Sequence, residues 1–86
     1  MWTLEISREA LKDTGKVERS HYAETVKRIL AILTQNPFQN PPPYKKLEPP
    51  TANFYSRHIN DQHRITYTIH KEEKVVKIVR MWTHYE

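Results

Sequence analysis

Histidines are the first residues to consider as chemical groups, because four of the five lie in the second half of the chain: His58, His63, His70 and His84. A metal centre is one use for such residues, and zinc sites need three or four convergent ligands. His58 and His63 are close in sequence, but no carboxylate or thiolate completes a convincing set, and the chain has no cysteine. We therefore expect neither a metal ion nor another cofactor.

Cleavage of RNA by its own 2′-hydroxyl fits these residue types better, because it needs no metal ion. It requires a base for the hydroxyl, an acid for the departing 5′-oxygen and a cation beside the phosphate. His84 suits the acid or the base because histidine titrates near neutral pH, and Arg64 suits the phosphate because a guanidinium binds two oxygens at once. A solvated arginine and a surface histidine occur on many sheets, so residue types alone leave both interpretations open.

A β-hairpin over residues 55–70 is the element that would position Arg64. Two segments rich in β-branched and aromatic residues flank Asn60-Asp61-Gln62, and Asx residues favour turns. In the second arm, alternation places Ile65, Tyr67 and Ile69 on one face and Arg64, Thr66 and Thr68 on the other. Arg64 is therefore predicted to lie on a polar sheet face with an apolar face behind it.

Three further elements precede the hairpin. Alternation predicts a strand over residues 2–6, and Ser7 is a suitable N-cap for a helix over residues 8–19 that Gly15 could bend or end. Apolar residues at three- and four-residue spacing predict a second helix, which opens at Ser20 or His21. Its predicted end is Asn36-Pro37, because the residue before a proline is pushed out of helical geometry.

A last strand is predicted over residues 75–82, after a polar turn at residues 71–74. It shows little alternation, which is typical of a strand inside its sheet. The resulting order is β-α-α-β-β-β. We expect an α+β two-layer domain, with two helices packed on one face of a mostly antiparallel sheet and the other face open.

The loop between the second helix and the hairpin contains all six prolines of the chain, from Pro37 to Pro50. No helix or central strand tolerates that density of prolines, so the loop has restricted freedom. It carries Lys45, Lys46 and Glu48. It could be a simple connector, but a loop this long in a small domain is more often functional.

Chain length, composition and net charge limit the class of protein. Eighty-six residues predict one domain, 1–86, and the absence of cysteine is compatible with a reducing cytoplasm. No apolar run approaches the roughly 18 residues of a membrane span, and the N-terminus does not resemble a signal peptide. A formal net charge of +4 favours a polyanionic partner, although many soluble domains carry such a charge without binding nucleic acid.

Three segments of the chain together resemble the Txe/YoeB family of bacterial toxins, within the RelE-like ribonuclease superfamily. The family pattern is roughly Tyr/Trp-Ser-Arg-Arg-Ile, a short turn, His-Arg-Leu-Val-Tyr, and an ending in His-Tyr or His-Tyr-Glu. The resemblance covers essentially the whole chain, including the order of elements. The matching segments are Tyr55-Ser56-Arg57-His58-Ile59-Asn60, His63-Arg64-Ile65-Thr66-Tyr67 and Met81-Trp82-Thr83-His84-Tyr85-Glu86.

The resemblance implies the toxin of a type II toxin–antitoxin system, acting as a ribosome-dependent mRNA endonuclease. Its partners would be the 70S ribosome with its mRNA and a cognate antitoxin of the YefM/Axe type, with a toxin homodimer or a toxin–antitoxin hetero-oligomer as further assemblies. By position, Arg64 would stabilise the transition state, His84 would be the general acid and Tyr85 the adjacent aromatic residue. Arg57 matches the first arginine of the motif, and His58 replaces the second as an RNA contact.

One position departs from the family pattern. The family places a glutamate, the expected general base, twelve residues before the first motif arginine, and Lys45 stands there in this chain. Glu48, three residues later, could take over as the base, which is the interpretation we favour. Alternatively, Lys45 binds phosphate while another group or water is the base, or the protein is a weakened or non-catalytic RNA- or ribosome-binding module. Lys46 is predicted, with Lys45, to contact RNA. Glu48 could also simply pair with a neighbouring lysine on the surface.

Overall fold

The computed structural model describes residues 1–47 and 54–83, which form two helices and five strands. The sheet order is β1-β5-β4-β3-β2, with β1 parallel to β5 and every other pair antiparallel. The predicted α+β order is confirmed, with one short strand more than predicted. The elements are β1 (Thr3–Ile6), α1 (Arg8–Glu18), α2 (Ala23–Gln35), β2 (Lys45–Lys46), β3 (Phe54–His58), β4 (Arg64–His70) and β5 (Val75–Thr83).

The first helix begins where the sequence predicted. The Ser7 hydroxyl accepts a hydrogen bond from the backbone N–H of Ala10 at 3.0 Å, which caps the helix, and donates to the carbonyl of Val79 at 2.6 Å. The helix continues through Gly15 to Glu18 rather than stopping there. The cost of a mid-helix glycine, about 1 kcal/mol, is offset because α1 buries a face against the sheet.

The second helix begins at Ala23, two or three residues later than predicted, because Ser20 and Tyr22 form a turn in which the Ser20 hydroxyl accepts the Tyr22 N–H. It buries Val26, Ile29 and Leu33 at the predicted spacing. It ends as predicted at Asn36, which is extended (φ −160°). In the described part of the chain, no helix is long and apolar enough to cross a membrane.

The hairpin of β3 and β4 has the predicted Asx turn. The Asn60 side-chain oxygen accepts the backbone N–H groups of Gln62 and His63, both at 2.8 Å. On β4, Ile65, Tyr67 and Ile69 are buried against the helices, as the alternation predicted. The opposite face carries Arg64, Thr66 and Thr68, of which Thr66 is also buried.

The last strand lies inside the sheet, between β1 and β4, as its low alternation predicted. Its pairing with β4 is irregular. Tyr67 lies opposite Ile78, Thr66 opposite Arg80, and Arg64 opposite Thr83, so β5 gains one residue at each of two steps. Such bulges redirect the side chains of a strand and increase its twist. The irregular part of β5 is therefore the part that passes Arg64.

Candidate active site

The face of the sheet away from the helices contains the candidate site. Residues paired across neighbouring strands project from the same side of a sheet. Lys45 is paired with Ser56, Ser56 with Thr66, and His58 with Arg64. These five residues define what we call the open face. The core packs behind it, because Ile65 and Tyr67, which alternate with Arg64 and Thr66, contact the cluster that includes both helices.

Arg64 is half-buried at the start of β4. One terminal nitrogen of its guanidinium, Nη1, donates to the Ser56 hydroxyl at 3.4 Å, which is a weak hydrogen bond. Among the carboxylates of residues 1–47 and 54–83, none forms an ion pair with it. The structure therefore places a cation on the open face whose charge is not neutralised by a described neighbour, as a phosphate-binding group requires.

Lys45 and Lys46 are both exposed, but the structure separates them. Lys45 lies opposite Ser56 and so projects on the open face with Arg64. Lys46 lies opposite Tyr55, a buried residue of the other face. Of the two predicted RNA contacts on β2, only Lys45 is therefore on the side of Arg64.

His58 is exposed at the end of β3, directly opposite Arg64. Its Nδ1 is 3.3 Å from the carbonyl oxygen of Asn60, a contact that suits a protonated Nδ1. The other ring nitrogen, Nε2, is therefore the one directed away from the turn. The sequence placed His58 among the RNA contacts, and its exposure beside Arg64 is compatible with that prediction.

Arg57 is not on the open face, which corrects its predicted role as an RNA contact. Only 1% of the residue is exposed, and every guanidinium nitrogen donates to a neighbour inside the protein. Nε donates to the Tyr67 hydroxyl at 3.0 Å, Nη1 to the carbonyl of Pro42 at 2.6 Å, and Nη2 to the carbonyls of Pro37 and Gln39, both at 2.9 Å. A phosphate cannot reach this guanidinium without displacing the loop that it binds.

The alternation of residues along β3 explains why Arg57 is buried. Arg57 lies between Tyr55 and Ile59 at a period of two, and both neighbours are buried. Its guanidinium also lies against the ring of Tyr44, with 5.0 Å from the guanidinium carbon to the ring centroid. The arginine thus belongs to the helix side of the sheet, where it binds the proline-rich loop to the core.

Three predicted residues lie outside the described part of the chain: Glu48, His84 and Tyr85. The structure describes the residues that precede them, Leu47 before Glu48 and Thr83 before His84. Leu47, the neighbour of Glu48, is buried, and its N–H donates to the carbonyl of Phe54 at 3.0 Å. Thr83, the neighbour of His84, has its backbone paired with Arg64.

Sequence reasoning missed two features at the irregular end of β5: the contact of Asp13 with Arg80, and the conformation of Trp82. Asp13 of α1 is buried, and its carboxylate accepts hydrogen bonds from Nε (2.9 Å) and Nη2 (3.2 Å) of Arg80. The hydrogen bonds that Arg80 donates to Asp13 raise the pKa of Arg80 above its already high ordinary value. A signal was available, since Asp13 lies three residues after Ala10 and four before Val17, on the apolar stripe of the helix.

Trp82 is the second unpredicted feature. Its backbone is left-handed, with φ 66°, a conformation that costs a non-glycine residue about 1 kcal/mol or more. Its indole is stacked on the imidazole of His63, with 4.1 Å between ring centroids and 10° between planes. No sequence pattern indicates a left-handed tryptophan, because the conformation depends on this tertiary contact.

The described residues do not provide a metal centre. Across residues 1–47 and 54–83, no three histidine, aspartate or glutamate side chains are grouped closely enough to hold an ion. The described part of the open face offers the cationic groups of Arg64 and Lys45, the imidazole of His58 and the hydroxyls of Ser56 and Thr66.

Comparison with known proteins identifies the family. The family model for the ParE toxin of type II toxin–antitoxin systems, parDE, matches residues 4–86. The chain therefore belongs to the ParE/RelE class of type II toxins, and the predicted family relationship is confirmed at that level. No curated protein sequence matches the chain significantly.

Several solved toxin structures share the fold over almost their whole length. YoeB in the YoeB–YefM complex of Staphylococcus aureus is 23% identical, covers 99% of each chain and has a TM-score of 0.78. The YoeB/ParE toxin of Agrobacterium tumefaciens is 19% identical, covers 96% of this chain and 99% of its own, and has a TM-score of 0.84. A chain of the E. coli DinJ–YafQ complex is 18% identical, covers 98% of this chain and 94% of its own, and has a TM-score of 0.81.

Replacing Arg57 should destabilise the protein rather than specifically weaken RNA binding. We expect Arg57→Met to cost about 3–5 kcal/mol of unfolding free energy, because it leaves buried loop carbonyls without donors. Arg57→Lys should recover little, since an ammonium cannot reproduce the planar fork. Chemical denaturation measures both, with Arg28→Met on the exposed face of α2 as the control. Equal stability of Arg57→Met and the control would show that the guanidinium does not hold the loop.

Tyr67 should make stability depend on pH in the alkaline range. Burial raises the pKa of Tyr67 to about 12, and the Arg57 guanidinium opposes part of that shift. The unfolded chain loses this proton near the ordinary value of 10.0, so stability should fall by up to about 2–3 kcal/mol as pH rises from there to about 12. Tyrosinate absorbance should show a late step that Tyr67→Phe lacks. A step near pH 10 that disappears in Tyr67→Phe would contradict the raised pKa.

Proposed function

We propose that this toxin is a metal-independent, ribosome-dependent mRNA endonuclease of the cytoplasm. The observation that carries the proposal is Arg64, a half-buried cation on the open face, with Lys45 and His58 on the same face. A bound RNA backbone needs cations on one accessible surface, and this arrangement offers them without a neutralising carboxylate among the described residues.

The proposed reaction is attack of the 2′-oxygen of a nucleotide on its own 3′-phosphate. The new bond joins the 2′-oxygen to phosphorus, and the bond from phosphorus to the 5′-oxygen breaks, leaving a 2′,3′-cyclic phosphate and a 5′-hydroxyl. The base receives the 2′-hydroxyl proton and the acid supplies a proton to the 5′-oxygen. Arg64 stabilises the charge that develops on the non-bridging oxygens. His84 supplies the proton, and Tyr85 stacks on a base or positions the phosphate.

Glu48 is the proposed base, and Lys45 the proposed partner of Arg64 in binding phosphate. Lys45 supports this division because it projects on the open face with Arg64, where an ammonium group suits the binding of a phosphate. Glu48 follows three residues later in the chain, directly after the buried Leu47. Lys46 contributes positive charge at the edge of the sheet, and His58 lies beside Arg64 at the other end.

A non-catalytic module that binds the ribosome or RNA is the second candidate function. Lys45 favours it, because it stands where the resemblance places the catalytic glutamate. Such a module would still use Arg64, Lys45 and His58 to bind a polyanion. Such a module could arrest translation only by binding, without cutting the mRNA. The endonuclease produces new RNA ends and the non-catalytic module does not.

A cognate antitoxin is the proposed inhibitor. YoeB of S. aureus and YafQ of E. coli have been solved in complex with YefM and DinJ, respectively, and S. aureus YoeB also as a dimer. A chain with formal charge +4 attracts an acidic partner, and a partner that covers the open face would exclude RNA from Arg64. Toxin homodimers or hetero-oligomers with the antitoxin are further proposed assemblies.

Removing Arg64 or His84 should abolish toxicity. We expect Arg64→Ala to lower the rate of mRNA cleavage on translating ribosomes by about 10²–10³-fold, the usual loss when a transition-state charge partner is removed. Primer extension detects the new 5′ ends, and Arg28→Ala on α2 is the control for loss of an exposed arginine. If Arg64→Ala and His84→Ala are both as toxic as the wild type, the assigned site is wrong. Arrest and ribosome binding without new 5′ ends would instead favour the non-catalytic module.

Removing only the carboxylate charge of Glu48 should show whether this residue is the general base. We expect Glu48→Gln to reduce cleavage by about 10²–10⁴-fold without loss of ribosome binding, because the amide keeps the shape but cannot take a proton. Glu18→Gln, an exposed site at the end of α1, is the matched control. Cleavage by Glu48→Gln at the rate of the control would remove Glu48 from the mechanism and leave water or another group as the base.

A further inference from the structure

The final residues of β5 pair with β4 on one edge, but on the other edge they are bound by α1 and its N-cap rather than by a strand. The pairing of β1 with β5 ends at Ile6 and Ile78. Beyond that point, the outer edge of β5 meets Ser7, whose hydroxyl donates to the Val79 carbonyl at 2.6 Å, and then Asp13, which accepts the Met81 N–H at 3.1 Å. Side chains of α1 and its cap therefore occupy the edge where β1 no longer runs.

We propose that Asp13 is a positioning residue for the catalytic C-terminal segment, acting through Arg80 and Met81. Its three hydrogen bonds, from Nε and Nη2 of Arg80 and from the N–H of Met81, are called the Asp13 clasp. The proposal rests on the proposed function, because His84 is catalytic only if the protein cleaves RNA. The clasp holds the part of β5 that leads to Thr83, the residue before His84.

The geometry of the clasp requires a carboxylate. Oδ2 accepts from both Arg80 Nε and the Met81 N–H, while Oδ1 accepts from Arg80 Nη2. An asparagine has one acceptor oxygen, so its NH₂ group would face a donor of the guanidinium. Asp13→Asn therefore retains the shape and can retain the bond to Met81, but it loses the paired geometry with Arg80.

The backbone next to the clasp shows why a fixed position matters. Trp82 is left-handed, and its indole is stacked on His63 of the hairpin. The two register steps of β5 lie in the same stretch, and the next residue, Thr83, is paired with Arg64. Unfavourable backbone conformations persist only where the surroundings hold them, and they cluster at functional sites. The clasp on one side and the His63 stack on the other set the direction of the chain as it passes Arg64.

Single-turnover cleavage on mRNA-programmed ribosomes, with toxin in excess, tests the proposal. We expect Asp13→Asn to lower the rate constant at saturation by about 10–100-fold, the effect of a small misplacement of a reacting group. The half-saturating toxin concentration should change by less than about twofold, since binding residues are untouched. If Asp13→Asn only lowered the fraction of folded toxin, the half-saturating concentration would rise and the rate constant at saturation would stay unchanged. That result would overturn the proposal.

Glu5→Gln is the matched control. Like Asp13, Glu5 is a carboxylate whose partner lies on β5, since it forms an ion pair with Lys77 at 4.0 Å, but here both side chains are more than half exposed. The control should cleave at the wild-type rate. Arg80→Lys is the second variant, since it retains the positive charge and loses the two parallel hydrogen bonds with Asp13. It should also lower the rate constant at saturation. If Asp13→Asn does not fold, Arg80→Lys replaces it in both assays.

Nuclear magnetic resonance separates this proposal from the proposed function. Asp13→Asn should shift the backbone amide resonances of Trp82 and Thr83 and the Trp82 indole N–H, and Glu5→Gln should not. Unchanged resonances in a folded Asp13→Asn would overturn the positioning role whatever the enzymatic result. If the wild type cuts no RNA, the proposed ribonuclease function fails, and these resonances alone decide whether the clasp positions the end of β5.

Discussion

The guanidinium of Arg57 is the interaction on which most of the structure depends. It joins three loop carbonyls and the Tyr67 hydroxyl in one buried cluster. A buried charge is tolerated only when its donors are satisfied, and here the proline-rich loop supplies the acceptors. Phe38 and Tyr44 of the loop also pack against the core, but the prolines donate no backbone hydrogen bonds, so Arg57 supplies donors to the loop carbonyls. By fixing the loop, Arg57 determines where β2 begins and which side of the sheet Lys45 reaches.

The backbone groups at the two borders of the open face are satisfied in two different ways. On one side, the proline-rich loop ends in the short strand β2, which pairs with β3 and closes that edge of the sheet. On the other side, β1 is too short to cover β5, and the side chains of Ser7 and Asp13 bind the Val79 carbonyl and the Met81 N–H. The open face is thus bordered by irregular backbone that tertiary contacts hold in place, a common arrangement for functional sites on a regular scaffold.

Much of the fold could be predicted from the sequence, because strong local patterns determine it. The period-two alternation of Ile65, Tyr67 and Ile69 fixed the buried face of β4, and Asn60 fixed the turn. The same logic applied to Arg57 would have placed it inside, but the motif resemblance favoured an RNA contact. The bulges of β5 and the left-handed Trp82 depend on contacts between distant residues, so no local pattern reveals them. The position of Asp13 on the apolar stripe of α1 indicates that it is buried, but it does not indicate that its partners are Arg80 and Met81.

The parallel pairing of β1 with β5 has a consequence for synthesis of the toxin. Thr3 pairs with Val75 and Ile6 with Ile78, so contacts separated by 72 residues complete the sheet. A ribosome makes residues 75–83 after every other described element, and the sheet cannot close until they have left it. The nascent chain therefore lacks the strand that runs past Arg64 until residues 75–83 have emerged from the ribosome. Among the described elements, the strand beside Arg64 is thus the last to be made, and the surroundings of Arg64 are completed only when it joins the sheet.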